Sequence, residues 1–156
     1  MKKRNWKVLI ISLVVVYSFA FIGSIFTSGN TDSPWYESIR QSITPPNWVF
    51  PIVWNVLFFL IALSIYFSWT SAKNISTKKS IAILFGLNLF FNALWSYVFF
   101  GLKNPVGAFF ELIALWISIV SLLILTYRVN KRAFYLLVPY FLWVSFAGIL
   151  NAVIAF

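Results

Sequence analysis

The chain has 156 residues, 62% of them hydrophobic and only 10% charged, where soluble domains run about a quarter charged, so a water-soluble fold is excluded. The net charge of +9 does not indicate nucleic-acid binding, because Lys and Arg sit in short clusters between long apolar runs, which is the pattern of membrane topology. With no Cys, no His and only the initiator Met, thiol redox chemistry, zinc, blue copper and His- or Met-ligated haem are excluded as well.

Five apolar stretches are long enough to cross about 30 Å of hydrocarbon as helices of about 20 residues. They lie at Val8–Phe26, Trp48–Trp69, Ile81–Phe100, Val106–Thr126 and Ala133–Phe156. The runs are continuous and do not alternate with period two, so helices are expected rather than barrel strands. The expected fold is all-α: one domain, an integral membrane bundle of five transmembrane helices. The first stretch reads as a span and not as a cleaved signal peptide, being long for an h-region with no A-x-A-like site after it. Lys2, Lys3, Arg4, Lys7, Lys73, Lys78, Lys79, Arg128, Lys131 and Arg132 fall on one side of the bundle, against Arg40 and Lys103 on the other. That asymmetry puts the N-terminus in the cytoplasm and the C-terminus and first loop outside.

The first external segment, Thr27 to Asn47, is the longest loop. Its Trp35 and Tyr36 suit either interfacial anchors or a lid. The second span is expected to begin with Thr44 as N-cap and Pro45 in the first turn, and to kink at Pro51. Asn47, Phe50, Trp54 and Phe58 share one of its faces, either as packed aromatics or as the wall of a cavity. In the third span, Asn88, Asn92, Trp95 and Phe99 share one side at about 100° per residue. Ala82, Gly86 and Ala93 share the other, and Ala82-x-x-x-Gly86 allows close helix approach, including across a dimer interface. Amides in lipid are costly unless paired, so Asn88 and Asn92 meet either another helix or a ligand.

The fourth span carries Glu111 on a face with Gly107, Ala114 and Ser118. No span holds a Lys, Arg or His partner, so a neutral, hydrogen-bonded acid is expected, with a proton relay as the alternative. In the fifth span Pro139 predicts a kink, and Tyr140, Trp143, Ala147 and Asn151 line one face. Together these faces make an apolar, aromatic interior with a few amides, which suits a large, flat, hydrophobic ligand.

Three stretches carry a resemblance. They are Trp35-Tyr36 followed by T-P-P-N-W-V-F-P-I-V-W (Thr44 to Trp54), N-A-L-W-S-Y-V-F-F-G (Asn92 to Gly101) and P-Y-F-L-W-V-S-F-A-G-I-L-N (Pro139 to Asn151). The chain resembles, over nearly its whole length, the tryptophan-rich sensory protein family, also called TspO, translocator protein or peripheral benzodiazepine receptor. The resemblance implies a five-helix bundle, commonly a homodimer, with a cavity under the first loop. It implies porphyrin ligands such as protoporphyrin IX, and for some members cholesterol and synthetic drugs. Trp35, Tyr36, Trp48, Phe50, Trp54, Asn92, Trp95, Trp143, Ala147 and Asn151 would line or cover the cavity. Light-dependent porphyrin breakdown has been proposed for the family, with the residues matching Trp54 and Trp143 as redox-active side chains. There are departures. Arg40-Gln41-Ser42-Ile43 replaces the frequent K-P-x-W, Phe58 stands where Tyr is frequent, and no basic residue follows Tyr140, which counts against sterol binding.

The expected function is that of a porphyrin-binding sensor or carrier in tetrapyrrole and stress handling, in a prokaryotic plasma membrane. Porphyrin degradation and transport of small hydrophobic ligands are the alternatives. No cofactor is required, and metal-free porphyrin should be preferred over haem.

Overall fold

The computed structural model describes residues 5–156. Lys2, Lys3 and Arg4, three of the charges in the sidedness count, lie outside the described residues. The described chain is helical with no strand. It comprises α1 (Trp6–Thr27), α2 (Pro34–Ile39), α3 (Val49–Ser71), α4 (Ile75–Ser96), a π turn (Tyr97–Gly101), α5 (Pro105–Val129) and α6 (Lys131–Ala155). Five of these helices, with α4 and the π turn taken as one, are long and apolar enough to cross a membrane. The short α2 lies in the first loop.

Local chemistry sets most of the helix starts. The side chains of Asn5, Ser33, Asn74, Asn104 and Asn130 each accept a backbone N–H in the first turn of α1, α2, α4, α5 and α6, which relieves an otherwise unpaired donor. Pro34 and Pro105 open α2 and α5, where a missing N–H costs nothing. Asn130 ends α5 and caps α6, so these two helices form a tight antiparallel hairpin.

The second span departs from expectation at its start. Thr44 is not its N-cap: α3 begins at Val49 after Trp48, with no side-chain cap. The hydroxyl of Thr44 is buried without a partner. Thr44 and Pro45 each precede a proline, and that position is driven out of the α region. Pro51 consequently falls in the first turn of α3, where its missing N–H interrupts no helical bond, so the reason for a kink disappears. Pro139 does lie inside α6, which runs on through it.

Around the bundle α1 packs on α3 and α4, α3 on α6, α6 on α5, and α5 on α4. The ring therefore closes in the order α1, α3, α6, α5, α4. The core between them holds Val16, Leu57, Ile61, Phe85, Leu89, Ile119, Leu137 and Tyr140. Gly23 brings α1 close to α4, since a Cβ there would lie 3.7 Å from the Cα of Ala93. Ala93 thus packs inside the bundle, whereas Ala82 is exposed and Gly86 has open space where a Cβ would stand. The outward faces carry Ile10, Phe21, Phe90, Phe110, Ile117 and Leu142 in exposed positions, as helices surrounded by lipid require.

One end of the bundle carries the lid helix α2 and the π turn. The other carries Lys7, Lys73, Lys78, Lys79, Arg128, Lys131 and Arg132 and is called the basic end below.

Candidate functional site

The site lies toward the lid end, where one face of α6 meets α3 and α4. Tyr140, Trp143, Ala147 and Asn151 recur at helical spacing on that face. From α3, Trp54 lies edge-on to Tyr140 at 6.2 Å and stacks on Phe58 at 5.3 Å. Phe50 lies edge-on to Trp143 at 5.8 Å. From α4, Asn92 and Trp95 both reach α6. Ala147 is partly buried and packs against the core.

Two hydrogen-bonded systems hold the arrangement. In the first, Asn92 Nδ2 donates to the Tyr140 hydroxyl at 3.2 Å, and that hydroxyl donates to Asn88 Oδ1 at 3.2 Å. Asn88 Nδ2 donates to Ser118 Oγ at 2.8 Å, and Ser118 donates to the carbonyl of Leu115 at 2.6 Å. This ladder crosses from a half-buried Asn92 on α4 to α6, back to α4 and on to α5, through the buried Tyr140, Asn88 and Ser118. In the second, Trp95 Nε1 donates to Asn151 Oδ1 at 3.0 Å, and Asn151 Nδ2 donates to the carbonyl of Pro105 at 2.8 Å. Unpaired amides at this depth would be costly, so both systems stabilise one packing of the helices.

These partners separate residues that fix the site from residues that face into it. Asn151 has both ends of its amide engaged by the protein and is 1% exposed. Asn92 gives one N–H to Tyr140, while its oxygen receives no donor among the described residues. The indole nitrogens of Trp95 and Trp116 donate to Asn151 and Ser145. Those of Trp54 and Trp143 donate to no protein acceptor among the described residues. Both rings are half-buried. The inner face thus offers two aromatic surfaces, two free N–H groups and one amide oxygen.

The lid covers the end of this face through an aromatic chain. Trp35 and Tyr36 of α2 meet Phe99 at 5.8 and 6.4 Å, Tyr36 meets Phe100 at 5.6 Å, and Phe99 stacks on Trp95 at 4.9 Å. Asn47 ties the loop back with Nδ2 on the Thr31 carbonyl at 3.1 Å and on Asp32 Oδ1 at 2.9 Å. Arg40, in the segment that departs from K-P-x-W, donates to the Pro45 carbonyl at 3.0 Å and pairs with Glu37 at 3.6 Å. Trp48 stands apart from the cluster and is 67% exposed. Burial pushes the Tyr36 phenol above its ordinary range, with Arg40 partly offsetting and Glu37 reinforcing the shift.

Glu111 differs from expectation. Both of its carboxyl oxygens are buried and have no hydrogen-bond partner among the described residues. Gly107 and Ala114, on the same helix face, carry no side-chain donor, and the Ser118 hydroxyl donates to Leu115. Sequence reasoning grouped Tyr140 with the site without seeing that it joins Asn92 to Asn88. It missed Phe100 and Ala108, which pack under Tyr36 and Phe99. The only signal for Phe100 was its place in the N-A-L-W-S-Y-V-F-F-G stretch.

A family model described as the TspO/MBR family matches residues 10–156. The chain is 35% identical to a protein named tryptophan-rich protein TspO from Archaeoglobus fulgidus, over 92% of each chain. It is 36% identical to one of the same name from Chlorobaculum tepidum, over 94% of each. It is also similar to the human translocator protein, at 29% identity over 84% of this chain and 78% of the other.

Proposed function

The chain belongs to the TspO/MBR family of integral membrane proteins, and from that premise we propose that it binds a metal-free porphyrin on the inner face of α3, α4 and α6 and serves as a sensor or carrier in tetrapyrrole and stress handling. The observation that supports this reading most directly is the pair of half-buried indoles, Trp54 and Trp143, with unengaged N–H groups, near an Asn92 oxygen that has no protein donor. A flat macrocycle stacks on such faces, and the amide oxygen accepts from a ring or substituent donor. The lid above Trp95 would exclude water from the occupied site. Haem would lack a His, Cys or Met axial ligand here, because the sequence supplies no His, no Cys and no internal Met.

The test is quenching of tryptophan fluorescence by protoporphyrin IX, in the dark, on the purified protein beside Trp54→Phe and Trp143→Phe. Saturable quenching, weakened in both variants, is expected. Linear quenching, identical in all three proteins, would mean that the porphyrin only partitions into detergent, and the proposal would fail. The same indoles make light-dependent porphyrin breakdown the second reading. It requires that Trp143→Phe keep binding and lose product formation under illumination.

A further inference from the structure

Among the described residues the lid end carries two cations, Arg40 and Lys103. Arg40 is engaged: its guanidinium donates to the Pro45 carbonyl and pairs with Glu37. Lys103 has no acid partner among the described residues. Its Nζ stands 6.0 Å over the ring of Trp35. Trp35 in turn leads to the inner face of the site, through its edge contact with Phe99 and the stack of Phe99 on Trp95.

The backbone holds Lys103 in this place under strain. With φ at 50° it has the one positive φ outside glycine among the described residues, a conformation that glycine, asparagine and aspartate adopt far more readily. Hydrogen bonds on either side fix it: the Leu102 N–H reaches the Tyr97 carbonyl at 2.9 Å, and the Asn104 N–H reaches the Val98 carbonyl at 3.2 Å. Asn104 then caps α5 through the Gly107 N–H. The left-handed residue turns the chain from the π turn into α5, and glycine would do so without strain. Lysine contributes to that turn only a charge and a long arm. Strained residues that their surroundings hold in place cluster at functional positions.

The interior offers a carboxylate no such partner. Between the lid and the basic end the described helices carry no Lys, Arg or His. Glu111, on the same face of α5 as Ser118, adds two buried acceptor oxygens that have no donor among the described residues. The free indole N–H groups of Trp54 and Trp143 are neutral and balance no charge. A carboxylate buried without a cation is costly, so an acidic edge of the ligand belongs at the lid. We propose, building on the porphyrin reading above, that Lys103 binds a carboxylate of the bound ligand at the mouth of the site, its ammonium group lying over Trp35.

The test compares protoporphyrin IX with its dimethyl ester, which keeps the ring and loses both charges, by quenching of tryptophan fluorescence in the dark on the full chain. Lys103→Gln should weaken binding of the diacid about three- to fivefold, the worth of one exposed ion pair. Lys103→Glu should weaken it at least about tenfold, since attraction becomes repulsion, and Lys103→Arg should restore wild-type affinity. Added salt should narrow the gap between wild type and Lys103→Gln. Binding of the dimethyl ester should be the same in all four proteins, which also confirms folding. An equal response of diacid and ester to the charge at position 103, both unchanged or both weakened, would overturn the proposal and leave Lys103 an interfacial anchor or a latch on Trp35. Saturable binding of the ester to wild type keeps the porphyrin reading standing whichever way Lys103 behaves. Quenching by both ligands that never saturates would remove that reading, and this inference with it.

Discussion

At the scale of single residues, the two asparagines at the contact of α4 with α6 do different work. Asn151 joins Trp95 to the start of α5, with both amide ends engaged. Asn151→Ala leaves an indole N–H and a carbonyl unpaired at depth, so stability should fall by about 1–2 kcal/mol. Asn92→Ala removes one bond to Tyr140 and the free oxygen. It should cost less stability, yet weaken porphyrin binding about tenfold, the worth of a hydrogen bond of about 1.4 kcal/mol. Unfolding in a denaturing detergent, measured beside fluorescence quenching, separates the two; a reversed ranking would contradict the assignment. The common face of Asn88, Asn92 and Trp95 was legible from spacing, because helical geometry fixes which side chains point together. Their partners were not. Asn88 pairs with Ser118 thirty positions away and Asn92 with Tyr140 forty-eight away, and periodicity within one helix carries no information about the helix opposite. For the same reason Glu111 was expected to be hydrogen-bonded and is not.

At the scale of elements, the π turn and the lid form one device. The Leu102 N–H reaches the Tyr97 carbonyl at 2.9 Å, five residues back, and this wider turn sets Phe99 and Phe100 under α2. Gly101 closes the turn against the Tyr97 ring, where a Cβ would approach to 3.0 Å. None of this was legible: an added residue in a helical turn leaves no periodic mark over five apolar positions, and the stretch reads as ordinary helix. The late start of α3 was legible in principle, since two adjacent prolines exclude helix before them, although the sequence reading took Thr44 as the cap. The lid should also respond to pH. The buried phenol of Tyr36 is held above its ordinary value of 10.0. Its protonated form therefore favours the packed lid, with the full contribution present below about pH 10 and lost as pH rises beyond it. Porphyrin release from wild type should accelerate above pH 10, and Tyr36→Phe should abolish that acceleration while releasing at the wild-type rate at pH 8. Stopped-flow release measured from pH 8 to 11 checks both statements.

For the whole molecule, the number of spans was legible because about 20 apolar residues in a row have few other fates. The order α1, α3, α6, α5, α4 around the ring was not, since it depends on which inner faces fit one another. Sidedness follows from charge placement: the described basic residues other than Arg40 and Lys103 lie at one end, and all three acids lie at or toward the other. Cytoplasmic retention of Lys and Arg would place the basic end inside and the lid outside. The absence of cysteine makes this directly measurable. Ser42, in the lid segment, and Ser76, at the start of α4, are both exposed, and neither side chain makes a hydrogen bond. Ser42→Cys should react in intact cells with a maleimide that cannot cross the membrane. Ser76→Cys should react only after the membrane is permeabilised. The opposite pattern would place the lid in the cytoplasm, so that a porphyrin entering beneath Trp35 and Tyr36 would come from the cell's own interior.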